Sequence, residues 1–160
     1  IAVYYIFMIQ AFQINSVSKN NFISLMISYE KNYKDFSKLV DLSIITESNI
    51  SKKFESSTGH VDKKLSLSVE LVTNHTAQVR FAYNFFSNNT YINYVDLKIY
   101  FDSRQAEIIN TNDSKSTHTA TDINKYHNMR LSKWYKNYFL SIWLKNCIKN
   151  GYSFEAQSEV

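Results

Sequence analysis

Two changes of period organise this chain. From Phe22 to Val40 the apolar residues Phe22, Leu25, Met26, Tyr29, Tyr33, Phe36 and Leu39 fall three and four apart. That spacing predicts an amphipathic helix, with Asn20 or Asn21 as its cap. Residues 41 to 63 lose the rhythm and collect Ser, Thr, Asn, Lys and Gly59, so they read as a long connection holding at most one short strand. The period then becomes two. Leu65, Leu67, Val69 and Leu71 alternate with polar residues, and so do Val79, Phe81, Tyr83 and Phe85, which predicts two strands. A loop at Asn74-His75-Thr76 would set Leu71 against Val79, Val69 against Phe81 and Leu67 against Tyr83, with Glu70 facing Arg80 on the solvent side. After a turn at Ser87-Asn88-Asn89-Thr90, Val95, Leu97, Ile99 and Phe101 alternate as a third strand. A two-residue turn at Asp102-Ser103 then sets Ile99 against Ala106, Leu97 against Ile108 and Lys98 against Glu107 on a fourth.

Past a polar loop over residues 111 to 122 the helical period returns. Leu131, Tyr135, Phe139, Trp143 and Cys147 recur every four residues, widened by Leu140, Leu144 and Ile148. Asn128 is positioned to cap the start and Gly151 the end. Helix, four strands, helix, with no βαβ alternation, predicts an α+β fold: an antiparallel four-stranded meander sheet with an N-terminal and a C-terminal helix packed on one face. Residues 15–154 are expected to form this single domain, followed by a tail at 155–160.

Composition changes little in that picture. The 160 residues are the usual size of one domain, 16% are aromatic, proline is absent, and the only glycines are Gly59 and Gly151. Residues 1–14 are an apolar N-terminal extension without the basic region or cleavage site of a signal peptide, and too short to span a bilayer. A natural start near Met8 would make the part of that extension before it foreign to the native protein. Cys147, the sole cysteine, excludes an internal disulfide and is expected as a buried thiol in a cytoplasmic protein. Four N-x-S/T triplets, at Asn49, Asn74, Asn88 and Asn112, arise by chance in so Asn-rich a chain.

The net charge of +4 is unevenly spread. Between Ile123 and Phe154 there is no Asp or Glu, whereas Lys125, Arg130, Lys133, Lys136, Lys145 and Lys149 are all cationic. The last helix is thus both basic and aromatic.

Three blocks carry a resemblance to a known family. FISLMISYEKNYKDFSKL holds Glu30, Asn32 and Tyr33 in an E-x-N-aromatic core. DLKIYFDSRQAEII sets Tyr100, Asp102, Ala106 and Glu107 in a Y-x-D-x-x-x-A-E pattern. KWYKNYFLSIWLKNCIKNG sets Lys133, Asn137, Phe139, Leu140, Trp143, Leu144, Cys147 and Gly151 in a third, the most specific of the three. With a weaker match at Asn74-His75-Thr76, residues 20 to 152 resemble the YqiB-like family of uncharacterised proteobacterial proteins, domain of unknown function 1249. Phe101 and Ser103 stand where that family usually has His and Ala around the aspartate, and its prolines are missing. Those departures weaken any catalytic reading that would use a histidine at that turn, and the resemblance brings no biochemical function with it.

Candidate pocket residues are Glu30, Asn32, His75, Tyr100, Asp102, Glu107, Lys133 and Asn137. Each has a structural reading beside the functional one. Glu30 and Asn32 flank an apolar helix stripe, where such groups also bridge neighbouring elements. Asp102 and Glu107 could hold a metal or exchange protons, but Asp102 also forms turns and Glu107 faces Lys98. None of His60, His75, His118 and His127 has a ligand-like partner three or four residues away, so neither metal nor cofactor is expected. There is no G-x-S-x-G, P-loop or G-x-G-x-x-G. On the last helix Trp134, Tyr138, Lys145 and Lys149 fall opposite the core stripe and form a candidate interface.

These features favour a small non-catalytic cytoplasmic binding or adaptor protein acting through protein–protein contact, with a partner chain or a second copy of itself and no membrane. One alternative is a nucleic-acid-associated protein using the basic aromatic helix. Another is an enzyme with a carboxylate cluster at the third hairpin.

Overall fold

Antiparallel pairing of five consecutive strands forms the floor of the fold, one strand more than the alternation of apolar residues predicts. The computed structural model describes residues 22–58, 61–84, 94–111 and 122–156, with only the backbone path for 61–63, 83–84 and 122–132. The sheet runs β1 (Lys53–Thr58), β2 (Val61–Val72), β3 (Thr76–Asn84), β4 (Tyr94–Tyr100), β5 (Gln105–Thr111), in that spatial order. Helix α1 spans Phe22–Leu39 and helix α2 spans Asp122–Lys149. The apolar residues 1–14, the expected cap at Asn20 or Asn21, the expected turn at Ser87-Asn88-Asn89-Thr90, His60 and His118 lie outside the described residues.

The extra strand, β1, occupies the connection between α1 and β2, after two short 3-10 turns at Leu42–Ile44 and Glu47–Asn49. Asp41 caps the first turn by accepting the Ser43 N–H at 2.9 Å. β1 reads KFESST and has no apolar alternation. It is an edge strand whose buried Ser56 accepts the Ser153 N–H, while Phe54, two residues back on the same face, packs partly buried against the core.

The β4–β5 hairpin matches its expected register, with Leu97 opposite Ile108, Lys98 opposite Glu107 and Ile99 opposite Ala106. The β2–β3 hairpin does not. Leu67 pairs with Phe81 and Val69 with Val79, and the register then shifts at Glu70, so Leu71 faces Gln78 and Val72 faces Ala77. The shift is a bulge: two residues on one strand oppose one on the other, and side-chain alternation reverses beyond it. Leu71 is consequently 45% exposed while Val69 is sealed. Arg80, expected against Glu70, lies opposite Ser68 on one side and Asp96 on the other.

One apolar face of the sheet carries the core. Leu65, Leu67, Val69, Ala77, Val79, Phe81, Leu97, Ile99 and Ala106 are fully buried beneath Phe36, Leu39, Leu140, Leu144 and Cys147 of the helices. Phe81 is its centre, with ring centroids 6.1 Å from Phe36, 5.2 Å from Trp143 and 5.8 Å from Phe154. Burying each such side chain is worth about 1.5–3 kcal/mol.

Helix α2 begins at Asp122, so Asn128 lies inside it and does not cap it. Its buried seam is also narrower than the four-residue recurrence predicts. Asn137, Leu140, Leu144 and Cys147 are fully buried, whereas Phe139, Trp143 and Ile148 are partly buried at its margins. Steps of four drift by about 40° each, while alternating steps of three and four stay on one line. The far end of the helix behaves as expected. Gly151 takes φ +82°, its N–H donates to the Ile148 carbonyl and the Tyr152 N–H to that of Cys147. The chain then returns to α1: the Phe154 N–H donates to the Leu39 carbonyl and the Asp41 N–H to that of Phe154. Among the described residues no helix is long and apolar enough to cross a membrane.

Candidate functional site

The candidate pocket residues fall into three contact groups. Asn32 and Asn137, both fully buried, lie at the junction of α1, α2 and β5. The Asn32 amide donates to the Asn137 backbone carbonyl at 3.2 Å. The Asn137 side chain accepts the Ile108 N–H at 3.1 Å and donates to the Lys133 carbonyl at 2.8 Å. It thereby supplies an acceptor to an edge-strand N–H that has no further strand beside it. The second oxygen-bearing end of the junction, Asn32 Oδ1, has no protein partner.

The second group joins β4 to β5. Tyr100 Oη donates to Glu107 Oε1 at 2.6 Å, and the Lys98 ammonium sits over the Tyr100 ring at 5.2 Å. The Tyr29 hydroxyl also hydrogen-bonds Glu107. Glu107 thus takes two phenols and makes no ion pair with Lys98, although the two residues are register partners. Burial first, and then the neighbouring carboxylate, raises both phenols: Tyr100 to about 12, and Tyr29 further. Tyr29 belongs to the core stripe by its spacing, and only the tertiary contact reveals its polar end.

His75 and Asp102 form the third group. They sit in the β2–β3 and β4–β5 loops, 27 residues apart in sequence, with Nδ1 and Oδ2 at 2.6 Å. The backbones of the two loops are joined as well, the Phe101 N–H donating to the His75 carbonyl at 2.9 Å. Both side chains remain 73% exposed, so the pair ties two hairpin ends together on the surface. Because Thr76 pairs with Tyr100, this contact lies at the same end of the sheet as the Tyr100–Glu107 group. Glu30 is exposed on its helix, and Lys133, also exposed, joins the first group only through its backbone carbonyl.

Pattern reading passed over one further polar unit. Arg80 makes a two-pronged contact with Asp96, at 2.6 and 3.0 Å, and its guanidinium lies 4.6 Å from the Tyr94 ring centroid. The hydrogen bonds to Asp96 raise the Arg80 pKa. A groove of about 430 Å³, lined by Ser37, Lys38, Asp41, Leu42, Ser153 and Glu155 among others, lies where the C-terminal segment meets the end of α1 and contains no candidate residue. Among the described residues no group of three or more His, Cys, Asp or Glu is placed to share a metal ion.

The candidate interface on α2 is a continuous strip. At about 100° per residue Trp134, Tyr138, Lys145 and Lys149 fall within about 60° of arc, on the side away from Leu140, Leu144 and Cys147. The Trp134 and Tyr138 rings stack at 5.4 Å with planes 7° apart, and Tyr135 meets Trp134 edge-on at 5.5 Å. Lys145 and Lys149 are exposed beyond them.

A family model described as a protein of unknown function, DUF1249, covers residues 39–153. No curated protein and no solved structure matches the chain.

Proposed function

The chain belongs to the DUF1249 family, and because that family's function is unknown we propose one from the chain's own surface: a small binding protein that engages a partner protein through the outer strip of α2. The observation that carries this reading is the flat Trp134–Tyr138 stack aligned with two exposed lysines. Core packing does not need these side chains, since Asn137, Leu140, Leu144 and Cys147 already form the buried seam on the opposite side. Stacked aromatics beside long cationic side chains are the composition of an interface hot spot. The candidate pocket favours the same conclusion, because Asn32, His75, Tyr100, Asp102, Glu107 and Asn137 each already bond another part of the fold. A sole cysteine kept as a buried thiol fits a reducing, cytoplasmic setting.

Lysine-reactive labelling followed by peptide mass spectrometry tests the reading. Lys145 and Lys149 should be protected in cells relative to Lys31 and Lys34, which are exposed on α1. Equal labelling of all four would overturn it. Protection that appears only on adding single-stranded DNA and fades with rising salt would replace the protein partner by nucleic acid.

A further inference from the structure

We propose that the partner of the α2 strip is a second copy of this chain, packed antiparallel about a two-fold axis that passes between Ser141 and Ile142. The inference rests on the reading of the strip as a protein-contact surface, and it comes from the order of residues along it. Trp134 and Tyr138 occupy the N-terminal half, Lys145 and Lys149 the C-terminal half, and the two pairs are equidistant from the midpoint of Ser141 and Ile142. Reversing the helix about that midpoint brings Trp134 onto Lys149 of the second copy and Tyr138 onto its Lys145. Both contacts occur twice, as two-fold symmetry requires.

Charge complementarity selects this arrangement. A parallel pairing would set lysine against lysine, and no acidic residue between Ile123 and Phe154 could relieve the repulsion. The antiparallel pairing instead lays each ammonium on an aromatic face, an attraction that operates within about 6 Å of a ring centroid. Among the described residues the chain makes this kind of contact within itself, with Arg80 on Tyr94 and Lys98 on Tyr100. The stack of Trp134 on Tyr138, with planes 7° apart, holds the two rings in one fixed orientation, one face of each against the other ring and the opposite face left for a cation.

The geometry closes. The strip is about 22 Å long at about 1.5 Å per residue, so its ends lie about 11 Å from the axis. A crossing of about 20° displaces those ends by only about 4 Å, within the reach of a lysine. Ser141, small and partly buried at the midpoint, permits the close approach of helix axes that such packing needs.

Sedimentation equilibrium and cysteine cross-linking test the pairing. Cys147 is fully buried, so Ser141→Cys introduces the one accessible thiol among the described residues, on the axis itself. The wild-type chain should sediment as a dimer at micromolar concentration, and Ser141→Cys should form a covalent dimer under mild oxidation while the wild type does not. Trp134→Lys, which sets lysine against Lys149 of the second copy, should weaken dimerisation at least tenfold. Adding Lys149→Glu should restore it, because the ammonium introduced at position 134 then meets a carboxylate at position 149 across the axis, a rescue that only the antiparallel register predicts. Circular dichroism spectra that coincide across these variants exclude a folding defect. A wild-type monomer, together with no cross-linking of the Ser141→Cys variant, overturns the pairing, as does a dimer indifferent to Trp134→Lys. If Lys145 and Lys149 are nevertheless protected in cells, only the second copy is excluded and a different partner occupies the strip; without that protection both readings fall.

Discussion

The Asn137 side chain accepts the Ile108 N–H at 3.1 Å, so a helix residue closes a hydrogen bond that edge strand β5 would otherwise leave open. The same amide donates to the Lys133 carbonyl, one turn back on its own helix. Asn137→Ala strands the buried Ile108 N–H and leaves a small cavity, which should cost about 2–4 kcal/mol in urea unfolding. Asn32→Ala should cost less, because Asn32 makes one hydrogen bond across the junction and its Oδ1 has no partner to lose. Equal losses at the two positions would contradict this account.

Glu70 is the site of a bulge, and the residues on its two sides should respond differently to truncation. Val69→Ala empties a sealed core position and is expected to cost about 1.5–3 kcal/mol. Leu71→Ala, at a position 45% exposed, should cost under about 0.5–1 kcal/mol. An uninterrupted strand would make the two comparable, so chemical denaturation of the pair reads the bulge directly.

Alkaline pH should unfold the protein through Tyr29 and Tyr100. Tyr100 is raised to about 12 and Tyr29 is also raised, against an unfolded value of about 10. The folded state therefore holds these protons more tightly. Their contribution is fully present below about pH 10 and is lost as pH climbs through 10 to 12, where the unfolded chain has released protons that the folded chain keeps. Tyr29→Phe with Tyr100→Phe should flatten that decline. Phenolate absorbance near 295 nm in the wild type should show two tyrosines titrating only as the fold is lost.

Gly151 holds φ +82° at the end of α2, and a Cβ placed there would meet only Thr58 Cγ2, at 4.0 Å. Space is adequate, so Gly151→Ala should be destabilising through backbone strain alone, by about 1–2 kcal/mol. Asn, which tolerates the left-handed region better, should recover part of that loss in thermal unfolding.

Four of the five strands, both helices and the α+β class were legible in the chain because each depends on which residues fall on which side of a local period. Family membership was legible through Trp143, Cys147, Gly151 and the residues between them. β1 was not, since its inward Ser56 is polar and hides the alternation. The β2–β3 register was missed because a bulge leaves no mark in composition. Among candidate site residues, spacing could place Asn32, Tyr100, Glu107 and Asn137 near their elements. It could not pair His75 with Asp102, because those residues meet only when two separate hairpin ends lie side by side.

The sequence alone determined the order of elements, the core face of each and the concentration of positive charge on the last helix, because burial and charge patterns are local and periodic. Tertiary structure alone decided which polar side chains meet. Hydrogen bonds such as Asn32 to Asn137, spanning 105 residues, depend on angstrom-scale placement of separate elements, and no local period encodes that distance. The same limit applies to α2: sequence marks its outer aromatics and lysines, and only the folded helix shows that Trp134 and Tyr138 stack flat on the side the core does not use.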